Sequence, residues 1–259
     1  MVLKALGTRY GVGEEKAIIE AIRYAEANGA SICNLSFGTT EYYPELEKVM
    51  RDSKMLFVVS AGNGNAKGIG EDTDQKPDYP SSFDLDNVIS AANLMFDGNL
   101  AESSNYGAKS VDIAAPGTYI VSTIADSGYG FMTGTSMSAP MVTGAAAMLY
   151  SYRTDLQLSD IRKVLLETAR KLPTLNGKLS SNGMLDLYAA LNYGRTTADS
   201  AQTEQTAADG QNAQDRQDTE QTAAGDQDAE QDPEAGQGTA SAASKTITAG
   251  GGEPVSLGW

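Results

Sequence analysis

Histidine is missing from the whole 259-residue chain. Its absence removes imidazole-based zinc sites and the side chain that most often serves as general base near neutral pH. Cysteine is reduced to Cys33 alone. That excludes an internal disulfide and a cysteine metal cluster, and it leaves the redox compartment open. No apolar run approaches the roughly 18 residues that a membrane-spanning helix needs. The N-terminal segment has no basic stretch followed by an apolar block and a small-residue cleavage site, so no secretory signal is read there. Positive charge is scarce: 19 Lys and Arg stand against 34 Asp and Glu, a net charge of −15. A surface of that sign does not neutralise phosphates, and nucleic acid is excluded as a partner.

The charge is unevenly spread. Residues 196–259 carry 12 acidic and 2 basic side chains, and their only large apolar ones are Ile247, Val255, Leu257 and Trp259. Such a segment cannot bury enough area to offset the entropy of ordering its backbone. The near-repeat Thr203–Ala208 and Thr219–Ala224 is too short to build a solenoid. The expected organisation is therefore a domain over 1–194 and a disordered acidic tail, rich in Gln, Ala, Asp, Glu and Thr, over 195–259. A spacer or partner-binding role ending in Trp259 is the functional alternative for that tail.

Residues 1–194 alternate between helical and strand patterns. Glu14–Asn28 places Ala17, Ile18, Ala21, Ile22 and Ala25 on one face and stops at Gly29, a residue that suits a helix end. Ala30–Leu35 reads as a strand and Tyr43–Asp52 as a helix. Met55–Ser60 is a continuous apolar run of strand length, the pattern of a strand covered on both faces. Asn87–Ala92, Val111–Ala114 and Tyr119–Ile124 read as further strands, and 136–152, 159–170 and 184–192 as helices. The alternation predicts a three-layer α/β domain with a mostly parallel sheet.

Sheets of this kind place chemistry in loops beyond the strand C-termini. One such loop is Ser60–Asn65, after the most apolar strand. The second candidate is Gly134–Pro140, which opens a long helix. Ser136 would lie in the first turn of that helix, where backbone N–H groups have no intrahelical partner and the dipole favours negative charge. A serine there can attack a carbonyl while its own N–H faces the developing oxyanion, and an Asn from a neighbouring strand end can supply a second donor. The plainer readings stand beside this one: a serine at a helix start is usually a cap, and an Asn between glycines usually a turn. Other templates fail. Gly134–Ser138 lacks the second Gly of the hydrolase elbow, no phosphate-binding GxxxxGK occurs, and Gly62–Gly64 lacks the third Gly of a dinucleotide fingerprint. The sequon Asn34-Leu35-Ser36 falls on a strand expected to be buried, which disfavours glycosylation.

The run Gly134-Thr-Ser-Met-Ser-Ala-Pro-Met-Val-Thr-Gly-Ala-Ala-Ala147 closely resembles the nucleophile motif of the subtilisin-like serine proteases, the subtilases. Met141 stands where the family usually has a His after the Pro. Further landmarks follow in family order: Ser31–Gly38, Val58–Asn63, Tyr79–Ser82 with Asn87–Ala92, Ser103–Gly107 and Val111–Gly117. The resemblance covers about residues 1–192. It implies a polypeptide substrate and the following roles. Ser136 matches the nucleophile, and Asn63 the side-chain donor of the oxyanion hole. Ser36, Phe37 and Gly38 match the strand that pairs with an extended substrate by main-chain hydrogen bonds. Ala61 and Gly62 border the pocket for the residue before the scissile bond, and Thr135, beside the nucleophile, joins them in binding the substrate. The Tyr79–Pro80 bond matches a place where the family often has a cis peptide.

Subtilases carry Asp, then His, then Ser in chain order. Neither the Asp motif nor any His occurs here, and Met1–Gly7 resembles a strand from the middle of the domain. The resemblance therefore implies the C-terminal two thirds of a peptidase domain, truncated at its start and nearly inactive alone. A missing N-terminal fragment carrying Asp and His is the implied partner. Uncovered strand edges should make the chain depend on that fragment for folding. A non-catalytic interaction module that keeps the cleft, or a decayed gene fragment, is the alternative, and a scaffolding role driven by the acidic tail is a third. No cofactor is required. Calcium is considered at the acidic loop Glu71–Asp74 with Asp78 nearby, chiefly at Asp72 and Asp74, because its oxygen ligands are of the right kind. Asp112 reads as a structural turn residue, Asp126 as surface or substrate rim, Pro140 as a bend in its helix, and Met132, Met137, Met141 and Met148 as core filler. Family members are mostly secreted or surface-bound, and this sequence leaves the compartment open.

Overall fold

The computed structural model describes residues 1–6, 14–124 and 127–195. The expected acidic tail from residue 196 onward, and Asp126, lie outside them.

Four strands form the body of a parallel sheet: β1 (Ile32–Leu35), β2 (Leu56–Ser60), β3 (Val88–Leu94) and β4 (Ile113–Pro116). They pair in chain order, with Asn34 opposite Val58, Val58 opposite Ile89, and Ala91 opposite Ile113. Two short strands extend the sheet beyond β4 in the order β8 (Gly183–Met184) then β7 (Arg170–Lys171), the last antiparallel. Both faces of β2 are covered, as its unbroken apolar run implies. Leu56 and Val58 pack with Val142, Ala146 and Leu149 of helix α3 (Thr135–Tyr152) and with Ile161 and Leu165 of α4 (Leu158–Glu167). Phe57 and Val59 pack on the opposite side with Ile18, Ile19 and Ile22 of α1 (Glu15–Ala27) and Leu46 and Met50 of α2 (Pro44–Asp52). A final helix, α5 (Leu187–Leu191), joins the α3 side through Ala190. The three-layer, mostly parallel α/β reading is the observed architecture.

The structure departs from the sequence reading in several places. The strand over Tyr119–Ile124 exists as β5 (Ile120–Ile124), but it pairs antiparallel with β6 (Gly128–Met132) in a separate two-stranded sheet. Residues in this hairpin alternate without a buried face, and Tyr129 and Phe131 are exposed. Met132, Met141 and Met148 are exposed rather than core filler. On α3 the buried stripe belongs to Ala139, Val142, Ala145, Ala146 and Leu149, and positions 141 and 148, seven apart, share a different face. α3 runs on through Pro140. Met1–Leu6 forms no paired strand. These residues line a cleft of about 750 Å³ whose other wall includes β1. β1 pairs only with β2 among the described residues, so it is a sheet edge. That is why Asn34, expected to be buried, is exposed.

A candidate active site at the start of helix α3

β2 ends at Ser60, and the chain turns through Ala61, Gly62 and Asn63. Gly62 has φ +99°, a left-handed conformation that only glycine adopts without strain. A β-carbon there would also strike the Asn105 side chain. Asn105 clamps this turn. Its Nδ2 donates to the Ala61 carbonyl (3.0 Å), its Oδ1 accepts from Gly64 N (2.9 Å) and Glu71 N (2.9 Å), and its own N–H donates to the Gly62 carbonyl (3.0 Å). Asn105 belongs to the Ser103–Gly107 landmark, yet nothing local in the sequence shows that its amide reaches back more than 40 positions.

The clamped turn meets α3 at its first residue. Thr135 donates from its N–H to Asn63 Oδ1 (2.9 Å) and from its hydroxyl to the same oxygen (3.1 Å), while Gly62 N–H donates to Thr135 Oγ1 (3.2 Å). Asn63 is thus held by its carbonyl end, and its –NH₂ end is the donor it brings to the cluster. Ser136 follows in the first turn of α3 and is 3% exposed. Its hydroxyl donates weakly to the Ser36 carbonyl (3.4 Å), and Ser36 Oγ donates back to the Ser136 carbonyl (3.0 Å). Ser36 Oγ also accepts from Asn34 Nδ2 (2.9 Å), and the Asn34 amide oxygen accepts from Thr143 Oγ1 (2.9 Å) about two helix turns further along α3. One more bond holds the α3 start: Ser138 Oγ donates to the Ala115 carbonyl (2.9 Å) at the end of β4.

The structure therefore brings Ser36, Ala61, Gly62, Asn63, Thr135 and Ser136 into one cluster at the C-terminal end of β1 and β2. Phe37 and Gly38 continue from Ser36 along its border. Thr39 and Tyr79 exchange backbone hydrogen bonds (2.9 and 2.7 Å), and this places the Tyr79–Pro80 turn beside Gly38, with that peptide bond cis.

Asp72 and Asp74 lie apart from the cluster. Asp74 accepts from Ser110 N (2.9 Å), Ser110 Oγ (2.7 Å) and Lys109 N. Those bonds hold its carboxyl below the usual range against the opposing effect of burial, which is the largest single influence on it. Asp72 Oδ1 accepts from Asp74 N (3.0 Å), closing a turn. Among the described residues no group of three or more Cys, Asp or Glu side chains converges as metal ligands would.

Asp112 is structural. It is buried and accepts from Ser90 N (2.9 Å), Ser180 Oγ (2.9 Å) and Arg162 Nη2 (2.8 Å), tying β3, α4 and the approach to β8 together. Burial pushes its carboxyl up, and the Arg162 guanidinium pulls the other way. Burial also pushes the Cys33 thiol to about 11. The thiol stays protonated at neutral pH, which leaves it unsuited to nucleophilic work.

A serine in the first turn of a helix, beside an anchored Asn and a free strand edge, is an arrangement suited to attack on a carbonyl. A family model described as the subtilase family matches residues 4–238. The major intracellular serine protease of Bacillus subtilis is 34% identical over 196 residues, which span 73% of this chain and 60% of that protein. Thermitase of Thermoactinomyces vulgaris is 33% identical over 187 residues, 71% of this chain and 62% of that one. A solved protease of Pseudoalteromonas arctica superposes with a TM-score of 0.60 at 25% identity, over 70% of this chain and 59% of the other. The chain thus spans about 60% of the length of these relatives. A family match across most of the sequence, joined to two proteases above 30% identity, makes this chain a member of the subtilase family.

Proposed function

We propose that these 259 residues are the nucleophile-bearing part of a serine endopeptidase. The observation that carries the reading is the Asn63–Thr135–Ser136 cluster at the head of α3. Ser136 Oγ attacks the carbonyl carbon of a peptide bond, and the Ser136 N–H with the Asn63 amide receives the oxyanion. Ser36, Phe37 and Gly38 pair with the extended substrate, Thr135 holds Asn63 in place, and Ala61 and Gly62 border the pocket for the residue before the scissile bond. This chemistry needs no cofactor.

A serine hydroxyl is a weak nucleophile until a base removes its proton. Among the described residues the only group accepting from Ser136 Oγ is the Ser36 carbonyl, which cannot serve as that base. With no His anywhere in the sequence, the base and the Asp that orients it come from a polypeptide segment outside these 259 residues. The open edge of β1, facing the 750 Å³ cleft, is the surface that segment would complete. In subtilisin, loss of the triad lowers turnover about a million-fold, and roughly 10³–10⁴ over the uncatalysed rate survives through the oxyanion hole and binding. The chain alone is expected to be nearly inactive.

The test is peptide turnover together with labelling by a serine-directed fluorophosphonate. The chain alone labels slowly, and adding the Asp- and His-bearing segment accelerates labelling at Ser136. Rapid labelling of Ser136 in the pure chain refutes the dependence on an external base. Absence of labelling with the segment bound refutes the catalytic reading and favours a peptide-binding module without chemistry.

A further inference from the structure

Asp78 is a carboxylate that the mechanism does not use. It precedes the Tyr79–Pro80 turn, and its backbone is fully engaged there. Its N–H donates to Ser82 Oγ (3.1 Å), and its carbonyl accepts from Ser81 Oγ (2.9 Å) and Ser82 N (2.8 Å). The side chain is a different matter. Oδ1 is shut off from solvent and has no hydrogen-bond partner. Asp78 takes part in no ion pair among the described residues, although Lys76 lies two positions away, committed to Glu71. Burial raises its carboxyl from 3.8 to about 7.

The position of this carboxylate is the informative part. A β-carbon placed on Gly38 would overlap Asp78 Oδ1, and one placed on Gly62 would come within 3.2 Å of Asp78 Cγ. The carboxylate thus lies between Gly38, at the end of the proposed substrate-pairing segment, and Gly62, on the border of the pocket for the residue before the scissile bond. Both neighbours are glycines, so neither places a side chain of its own against the carboxylate. A buried acid without a compensating charge is unfavourable unless it stays protonated or a partner supplies the charge. The substrate is the component of the site that can supply it.

We propose that Asp78 forms the floor of that pocket and selects peptides with Lys or Arg immediately before the scissile bond. The inference rests on the peptidase-cleft reading above and adds its substrate class. Lys or Arg enters between Gly38 and Gly62 with its apolar stem along the backbone and its charged head on Asp78. Arg adds the option of a two-point contact with both carboxylate oxygens.

Binding tests this without requiring turnover. Fluorescent tetrapeptide amides that differ only in the final residue (Lys, Arg, Leu or Glu) are titrated into the full chain near pH 8 and read by anisotropy. The Lys and Arg peptides bind about tenfold or more tightly than the Leu peptide, a difference of about 1.4 kcal/mol or more, and the Glu peptide binds least. Asp78→Asn removes the preference, Asp78→Glu retains it, and Asp78→Lys turns it toward Glu. Equal binding of Lys and Leu peptides by the native chain overturns the assignment whether or not any variant folds. So does a Lys preference that survives in Asp78→Asn. In both cases the peptide cleft stands. If no peptide of the set binds, the cleft reading falls and the assignment falls with it.

Discussion

Replacing Asp78 by Asn gives a measurement that depends on neither substrate nor base. In the unfolded chain the carboxyl titrates near 3.8, and in the fold burial raises it to about 7. Between those values the folded protein holds a proton that the unfolded chain has released, so unfolding releases a proton and stability falls as pH rises. The slope approaches 1.36 kcal/mol per pH unit for a single group, and the loss levels off above about pH 7. Three units would cost about 4 kcal/mol, and solvent reaching the unpaired carboxylate as it ionises lowers this to about 2–4 kcal/mol. Gly38, Gly62 and the Tyr79–Ser82 turn lie against Asp78, and burial is what raises its carboxyl. Asn does not titrate. The stability of Asp78→Asn minus that of the native chain should therefore rise by about 2–4 kcal/mol between about pH 4 and about pH 8. Paired urea unfolding curves at several pH values measure it. A difference that stays flat, or one that falls with pH, means that Asp78 is ionised and compensated in the fold, and the reasoning about its environment is then wrong.

Other expectations follow from the same structure. Arg162→Leu leaves Asp112 buried without its cation. Breaking a buried pair on one side costs about 3–5 kcal/mol, and with the Arg162 side chain 31% exposed the lower end applies. Differential scanning fluorimetry should show a drop in melting temperature of about 6–12 °C. Asn105→Ala removes the donor to the Ala61 carbonyl and the acceptor for the Gly64 and Glu71 N–H groups. It should destabilise by at least about 2 kcal/mol in urea and weaken peptide binding through the displaced turn. Retained peptide affinity in a folded Asn105→Ala chain would show that Asn105 does not position the site. The purified chain, with β1 an open sheet edge, should self-associate through that edge while its folded part still unfolds cooperatively. A strictly monomeric chain in analytical ultracentrifugation across the micromolar range would show that the edge needs no covering partner.

The sequence by itself settled what local chemistry and periodicity control. The apolar run at Met55–Ser60 could only be a strand covered on both faces, and β2 is one. The spacing in Glu14–Asn28 fixed the helix α1 and its end at Gly29, although Ile19 joins its buried face and Ala17 only half does. Ser136 and Asn63 stood out because a serine at a helix start and an Asn after a buried strand are chemically specific positions, and because their landmarks follow one another in family order. Tertiary structure decided everything that depends on what lies alongside. Asn34 is exposed because β1 is a sheet edge, a fact about neighbours rather than about the residues 30–35. The strand at Tyr119–Ile124 was legible, but its partner Gly128–Met132 carries two glycines and little apolar alternation, so the hairpin and its detachment from the main sheet were not. β7 and β8, two residues each, are too short to leave a pattern. Asp78 and Asn105 were legible only as residue types, the one as an acid near a candidate calcium loop and the other as part of a family landmark, and their roles were not. One is an ordinary acid in a turn and the other an ordinary amide in a loop. Only the approach of chain segments distant in sequence encloses the first between Gly38 and Gly62 and sets the second across the Ala61–Gly64 turn, because burial and hydrogen-bond partners are created by packing and have no signature in local sequence.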